Sequence, residues 1–172
     1  MPKRFRQADP RWSKVMLGFG PGTIGRYGCA LVSVCQAAAL LRNVELLPPH
    51  LNAMGRDSKA FQGELIIWAS IGRAAGLDIR SLVVGDGLKN TIAATIRDKG
   101  VCLLHVDHRN DERGDHWVLA HSTTPDGDFI CSCSAVGDDV IISKETLKGA
   151  TTWGNQPKTY AVRGARPVFP VI

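Results

Sequence analysis

The longest apolar stretch of the chain runs from Cys29 to Leu41 and is broken by Ser33 and Gln36. A helix that is apolar on almost every face is a buried one. The pattern therefore predicts a core helix over Cys29–Arg42, opened by Gly28 and ending near Asn43, ahead of Pro48-Pro49. A second helix is predicted over Glu64–Ala75, where Leu65, Ile66, Trp68, Ala69, Ile71 and Ala75 fall near helical spacing and Gly76 supplies a stop. A third fits Leu88–Lys99, closed by Gly100. Short strands are predicted at Asp78–Val84, Val101–Val106, His116–Ala120, Phe129–Cys133, Val140–Ser143 and Thr159–Gly164. Thr124-Pro-Asp-Gly-Asp128 reads as the turn of a hairpin. Helices first and an antiparallel sheet afterwards give an α+β layout. One domain is expected over residues 1–172, with residues 1–27, rich in Gly, Pro and Arg, as a basic N-terminal arm or a set of loops.

Composition narrows this only slightly. With 44% hydrophobic and 22% charged residues, the 172-residue chain falls among ordinary globular proteins, which excludes collagen, coiled coil and wholesale disorder. No run of about 18 apolar residues exists, so no membrane span is expected. The basic start lacks a following apolar region, so no signal peptide is expected and a cytoplasmic location is the default. The net charge of +5 sits in the first 26 residues, which hold Lys3, Arg4, Arg6, Arg11, Lys14 and Arg26 against Asp9 alone. Such a segment suits nucleic acid, anionic lipid or an acidic polymer such as a cell wall, or it is simply solvated. No zinc-finger spacing or RNA-binding signature accompanies it, so no nucleic-acid partner is expected.

The chemistry-bearing residues sort quickly. The five cysteines, Cys29, Cys35, Cys102, Cys131 and Cys133, are odd in number and contain no Cys-x-x-Cys, so neither a disulfide framework nor a zinc site is expected. Gly20-Pro-Gly22-Thr-Ile-Gly25 matches a dinucleotide fingerprint but lacks the preceding strand, and reads as a loop. Cys29 is different. At the start of a buried helix, its sulfur faces unpaired N–H groups whose positive dipole favours thiolate, so a lowered pKa is expected. The alternative is a small buried hydrophobe, which is the reading given to Cys35 and Cys102. Among the histidines, His116 heads a strand after the polar Gly114-Asp115, a rigid place open to a cleft. A nucleophilic thiolate needs such a base partner.

Gln7-x-Asp9-Pro-x-Trp12, Thr23-Ile-Gly-x-x-Gly28-Cys29-Ala-Leu31 and His116-Trp-Val-Leu119 together resemble papain-like cysteine peptidases. Within them the chain is most similar to the bacteriocin-leader peptidase-like group of bacterial and phage proteins. The resemblance runs from about Gln7 to the strand near Ser143. It implies a papain-like fold, a buried helix carrying the cysteine packed on a C-terminal antiparallel sheet. It implies Cys29 as nucleophile, His116 as base and then acid, and Gln7 as oxyanion donor, with no cofactor. The group's third residue is Asp or Asn at the end of the next strand. Here the matching stretch is Phe129–Ser134, which offers Ser132, or else Cys133, where a carboxylate or amide is expected; Asp126, Asp128, Asp138 and Asp139 lie close in sequence as substitutes that do not align, and Asp115 adjoins His116. The expected function is a cysteine peptidase or amide hydrolase acting on Gly-rich leader peptides or on the peptides of peptidoglycan, delivered with a virion or released in the host if phage-encoded. The alternative is a papain-like fold of weak or no activity, kept as a binding or structural module.

Overall fold

In the computed structural model, which describes residues 4–172, the apolar run forms helix α2 (Cys29–Arg42), preceded by one helical turn, α1 (Ile24–Tyr27). Residues 31–38 of α2 are buried on every face, as the pattern requires. Asn43 closes it in the left-handed region at φ +52°. Pro48-Pro49 is a beginning as well as an end: helix α3 (Pro48–Asp57) opens on these prolines, whose missing N–H groups are unpaired in a first turn anyway.

The second predicted helix is shorter than the spacing suggests. Its first turn is instead a tight hairpin, β1 (Phe61–Gln62) with β2 (Leu65–Ile66), turning at Gly63 with φ +62°. Helix α4 (Trp68–Ala75) follows and ends at left-handed Gly76. Strand β3 (Leu77–Ile79) covers only the start of the predicted 78–84 strand, and Val83 adds an isolated bridge to Ala165. Helix α5 (Leu88–Arg97) lies where expected.

The sheet that follows is antiparallel throughout. It comprises β4 (Val101–Asp107), β5 (His116–Thr123), β6 (Phe129–Cys133), β7 (Asp138–Ile142), β8 (Lys148–Trp153) and β9 (Gln156–Pro170). The order is β3-β9-β4-β5-β6-β7, with β8 paired to the early part of β9. The molecule is thus an α+β fold with one large antiparallel sheet. β8 escapes the hydrophobic pattern because its inward positions are filled by Gly149, Thr151 and Trp153 rather than by an apolar series, and β9 because it is bulged against β4.

Alternation along β4 and β5 divides the interior into two cores. Leu103 and Leu119 face α2, together with Val34, Cys35 and Ile71. Leu104, Val118 and Cys133 face the other way, into a core closed by Tyr160, Phe129 and Ile92 of α5. The N-terminal segment joins the first core. Phe5, Trp12, Leu17 and Ile24 are buried there, and the Trp12 indole N–H donates to the Arg6 carbonyl at 2.9 Å. Residues 4–23 are therefore packed loops rather than a free arm, and Arg4 is paired with Asp138 and, at 2.7 Å, with Asp139. Among the described residues no helix is long and apolar enough to cross a membrane.

Candidate functional site

The two cores meet at one end of β5. Cys29 starts the helix that covers one face, and His116 starts the strand whose alternate residues feed the other. The Ser33 hydroxyl donates to the Trp117 carbonyl at 3.4 Å, fastening α2 to β5. The Trp117 amide, one residue beyond His116, is placed to favour the thiolate form of Cys29. Cys29, His116 and Gln7 line one cavity of about 380 Å³, together with Arg26, His108 and Trp153.

Gln7 is buried and held on three sides. Its backbone N–H donates to the Ser134 carbonyl at 3.0 Å, its Nε2 donates to the Gly25 carbonyl at 3.1 Å, and its Oε1 accepts from the Ser134 hydroxyl at 3.0 Å. These contacts fix which way the amide faces. An amide nitrogen carries two donors, so one remains for the cavity.

His116 is buried, and its neighbours form a chain. Its Nε2 lies 3.3 Å from the Cys133 sulfur, and Cys133 lies 3.1 Å from the Tyr160 hydroxyl. The Trp153 indole N–H donates to that hydroxyl at 2.6 Å. The Trp153 ring meets the imidazole edge-on, with centroids 5.4 Å apart. Of the two residues expected behind His116, the neighbour is Cys133. Ser132 is on the opposite face of β6, as strand alternation demands, and its hydroxyl points to Asp139 at 3.5 Å. The catalytic role expected of Ser132 therefore has no geometric basis.

Asp115 does not hold His116 either. Its Oδ1 pairs with Nδ1 of His108, and its Oδ2 is 3.7 Å from the Arg109 guanidinium. The loop carrying both residues is anchored by Asp107, whose carboxylate accepts from the amides of Arg109, Asn110 and Glu112 at 3.0, 2.7 and 2.8 Å and from Arg163 at 3.1 Å. Burial would raise the Asp107 carboxyl, but Arg163 and these amides outweigh it and hold it at about 2. Asp107, Asp111 and Asp115 come close enough to suggest a cation, but these contacts already engage both Asp107 oxygens.

The electrostatics depart from the expectation of a lowered cysteine pKa. Burial pushes the Cys29 thiol up to about 11; the Trp117 and Ala30 amides pull the other way and do not compensate. The helix start supplies the donors that were expected, but the sulfur has lost more by leaving water. Burial likewise lowers His116 to about 4, with His108 adding to the effect and Asp115 opposing it. Cys133 is raised by burial against the Tyr160 hydroxyl and the Val136 and Ala135 amides. At neutral pH, Cys29 and His116 thus rest as thiol and imidazole.

No family model and no curated protein matches the chain. The site therefore stands on its own geometry. Sequence reasoning missed Trp153, Tyr160 and His108. Trp153 lies at the end of β8, a strand with no readable alternation, and His108 lies in a polar loop that gives no signal of its pairing with Asp115.

A second cavity, of about 550 Å³, opens on the other side of Cys29. Its walls include Leu31, Leu65, Ile66, Trp68 and Trp117. The Trp68 and Trp117 rings lie 4.7 Å apart, and His105 stacks on Trp117 at 4.2 Å. Cys29 is thus the ridge between two cavities, a polar one and a largely apolar one.

Proposed function

We propose that the protein is a cysteine peptidase or amide hydrolase of papain-like design, using Cys29 and His116. The observation that carries this reading is that a helix-start cysteine, a strand-start histidine and an oriented glutamine amide line one cavity. Because Nε2 of His116 faces Cys133, Nδ1 is the nitrogen available to Cys29. From the neutral pair, the imidazole takes the thiol proton as the sulfur attacks the amide carbonyl, forming the C–S bond. The free N–H of Gln7 and the Cys29 amide receive the oxyanion, a contribution of about 3–4 kcal/mol by analogy with other oxyanion holes. The imidazolium then protonates the departing amine. Water, deprotonated by the same imidazole, hydrolyses the thioester and frees the sulfur. For this cycle Nε2–H must donate to the Cys133 sulfur, a weak acceptor in place of a carboxylate or amide. Peptide bonds of leader peptides or of peptidoglycan are the candidate substrates.

A second reading, a papain-like fold retained as a binding or structural module, draws on the same Cys133. A buried neutral thiol cannot stabilise an imidazolium as a carboxylate does.

A peptidyl vinyl sulfone, followed by mass spectrometry, tests the first reading. The expected result is one adduct at Cys29, lost in Cys29→Ala and strongly slowed in His116→Ala. Labelling at Cys29 that is indifferent to His116, or none at Cys29, overturns it and leaves the second reading.

A further inference from the structure

The apolar cavity beside Cys29 contains an anomaly. Glu64, at the turn between β1 and β2, makes no hydrogen bond or ion pair among the described residues, and its Oε2 is buried without a donor. The oxygen is covered by the Gly20-Pro-Gly22 loop. A Cβ at Gly22 would come within 1.8 Å of Oε2, and one at Gly20 within 2.0 Å of Glu64 Cγ. The glycines that imitate a nucleotide motif are thus those that let a loop close over a carboxylate. Asp115 lines the same cavity, with its Oδ2 3.7 Å from the Arg109 guanidinium. No Lys or Arg lines this cavity, and burial lowers the pKa of His105, the one basic group that does.

The polar cavity has the opposite character, with Arg26 and Arg109 in its lining. His116 lines that cavity and not the apolar one. The departing amine must collect its proton from His116, so the leaving half of a substrate belongs on the polar side. The acyl half then lies against Glu64.

We propose that Glu64 makes the apolar cavity a subsite for a cationic side chain in the acyl half of the substrate, an aliphatic stem ending in an amine or guanidinium. The stem packs against Trp68, Trp117 and Ile66, and the cation meets the Glu64 carboxylate in a lining that holds no Lys or Arg. This assignment rests on the proposed hydrolase reading only for which half of the substrate is involved; the preference for a cation rests on the cavity itself.

The test uses peptide amides that differ at one acyl-side residue, lysine, norleucine or glutamate, placed in turn at the first and second positions before the scissile bond. Hydrolysis is measured with the wild type. Binding is measured by calorimetry with Cys29→Ala, which needs no turnover. The expected result is that the lysine peptide exceeds the norleucine peptide about tenfold in kcat/KM, through KM, and similarly in affinity, with the glutamate peptide weakest. In Glu64→Gln, an isosteric change checked by its melting temperature, the difference between lysine and norleucine disappears. Hydrolysis without charge discrimination overturns the subsite and leaves the peptidase reading standing. Charge-selective binding without hydrolysis overturns the peptidase reading and leaves the subsite. Equal binding of the three peptides, or none, overturns the subsite, as does a lysine preference that persists in Glu64→Gln.

Discussion

Acidification from pH 7 to pH 4 is expected to destabilise the protein through His116. In the folded chain the buried imidazole holds a proton only below about pH 4, whereas an ordinary histidine takes it up near 6.5. Between those values the unfolded state binds more protons than the folded one, so every step down in pH favours unfolding. Above about 6.5 both states are neutral and the effect is flat; below about 4 both are protonated and no more is lost. A fall from 6.5 to about 4, at roughly 1.4 kcal/mol per unit, amounts to about 3 kcal/mol, a large share of an ordinary domain's stability. His105 acts in the same direction, because burial lowers its pKa as well. Asp107 acts later. Held at about 2, it stabilises above the ordinary carboxyl value and loses this only as the pH falls from near 3.8 toward 2. Urea unfolding followed by tryptophan fluorescence, in half-unit steps from pH 7.5 to 4.5, reads the slope. The Hε1 proton of His116 reads the site directly by NMR. Unfolding free energy that stays flat between pH 6.5 and 4.5, or a folded-state His116 titration near 6.5, would refute the reasoning.

Three further outcomes follow from the same geometry. Iodoacetamide is expected to modify Cys29 slowly at neutral pH, with a rate that climbs toward pH 11 and a thiolate fraction about a hundredfold below that of a thiol at 9.0; rapid labelling at pH 6 would contradict this. Cys133→Asn places an amide where the sulfur stands 3.3 Å from His116, and kcat on peptide amides is expected to rise with KM little changed; an unchanged or lower kcat would show that the weak acceptor does not limit turnover. Tyr160→Phe leaves the Trp153 indole N–H and the Cys133 sulfur without their shared hydroxyl, and chemical denaturation is expected to show a loss of about 1–3 kcal/mol.

How much of this could be read in the sequence depended on how local each cause was. Helix α2 was legible because an apolar run that long has one comfortable home, and β4 and β6 because their short apolar runs are bounded by turns. The first turn of the predicted Glu64–Ala75 helix was misread. Leu65 and Ile66 satisfy helical spacing, yet Gly63 turns the chain there and pairs them with Phe61 and Gln62. Cys29, His116 and Gln7 could be picked out because each sits at a readable boundary. Their shared cavity could not, since it depends on how α2 crosses the end of β5. The direction of the Cys29 shift went the other way for a similar reason: the helix start is local, but the burial that outweighs it is assembled by the whole fold around the sulfur. Ser132 and Cys133 were separable by alternation once one face was known, and only the register of β6 with β5 supplies that face.

Strand β9 is the last strand of the described chain to leave a ribosome, yet it lies between β3 and β4 in the sheet. Until residues 156–170 emerge, the edge of β4 has no partner on that side, and β3 has nothing to pair with. Tyr160, which reaches the sulfur beside His116, arrives on the same strand. A nascent chain can build α2 and the β5–β6 hairpin early, but the Cys133 sulfur behind the imidazole gains its hydroxyl partner only when synthesis has passed Tyr160. Maturation of the thiol site is thereby tied to completion of the sheet. Non-local pairing of this kind is slow to form. A ribosome stalled before residue 156 would hold a polypeptide with its cysteine and histidine present but without the tyrosine that backs Cys133.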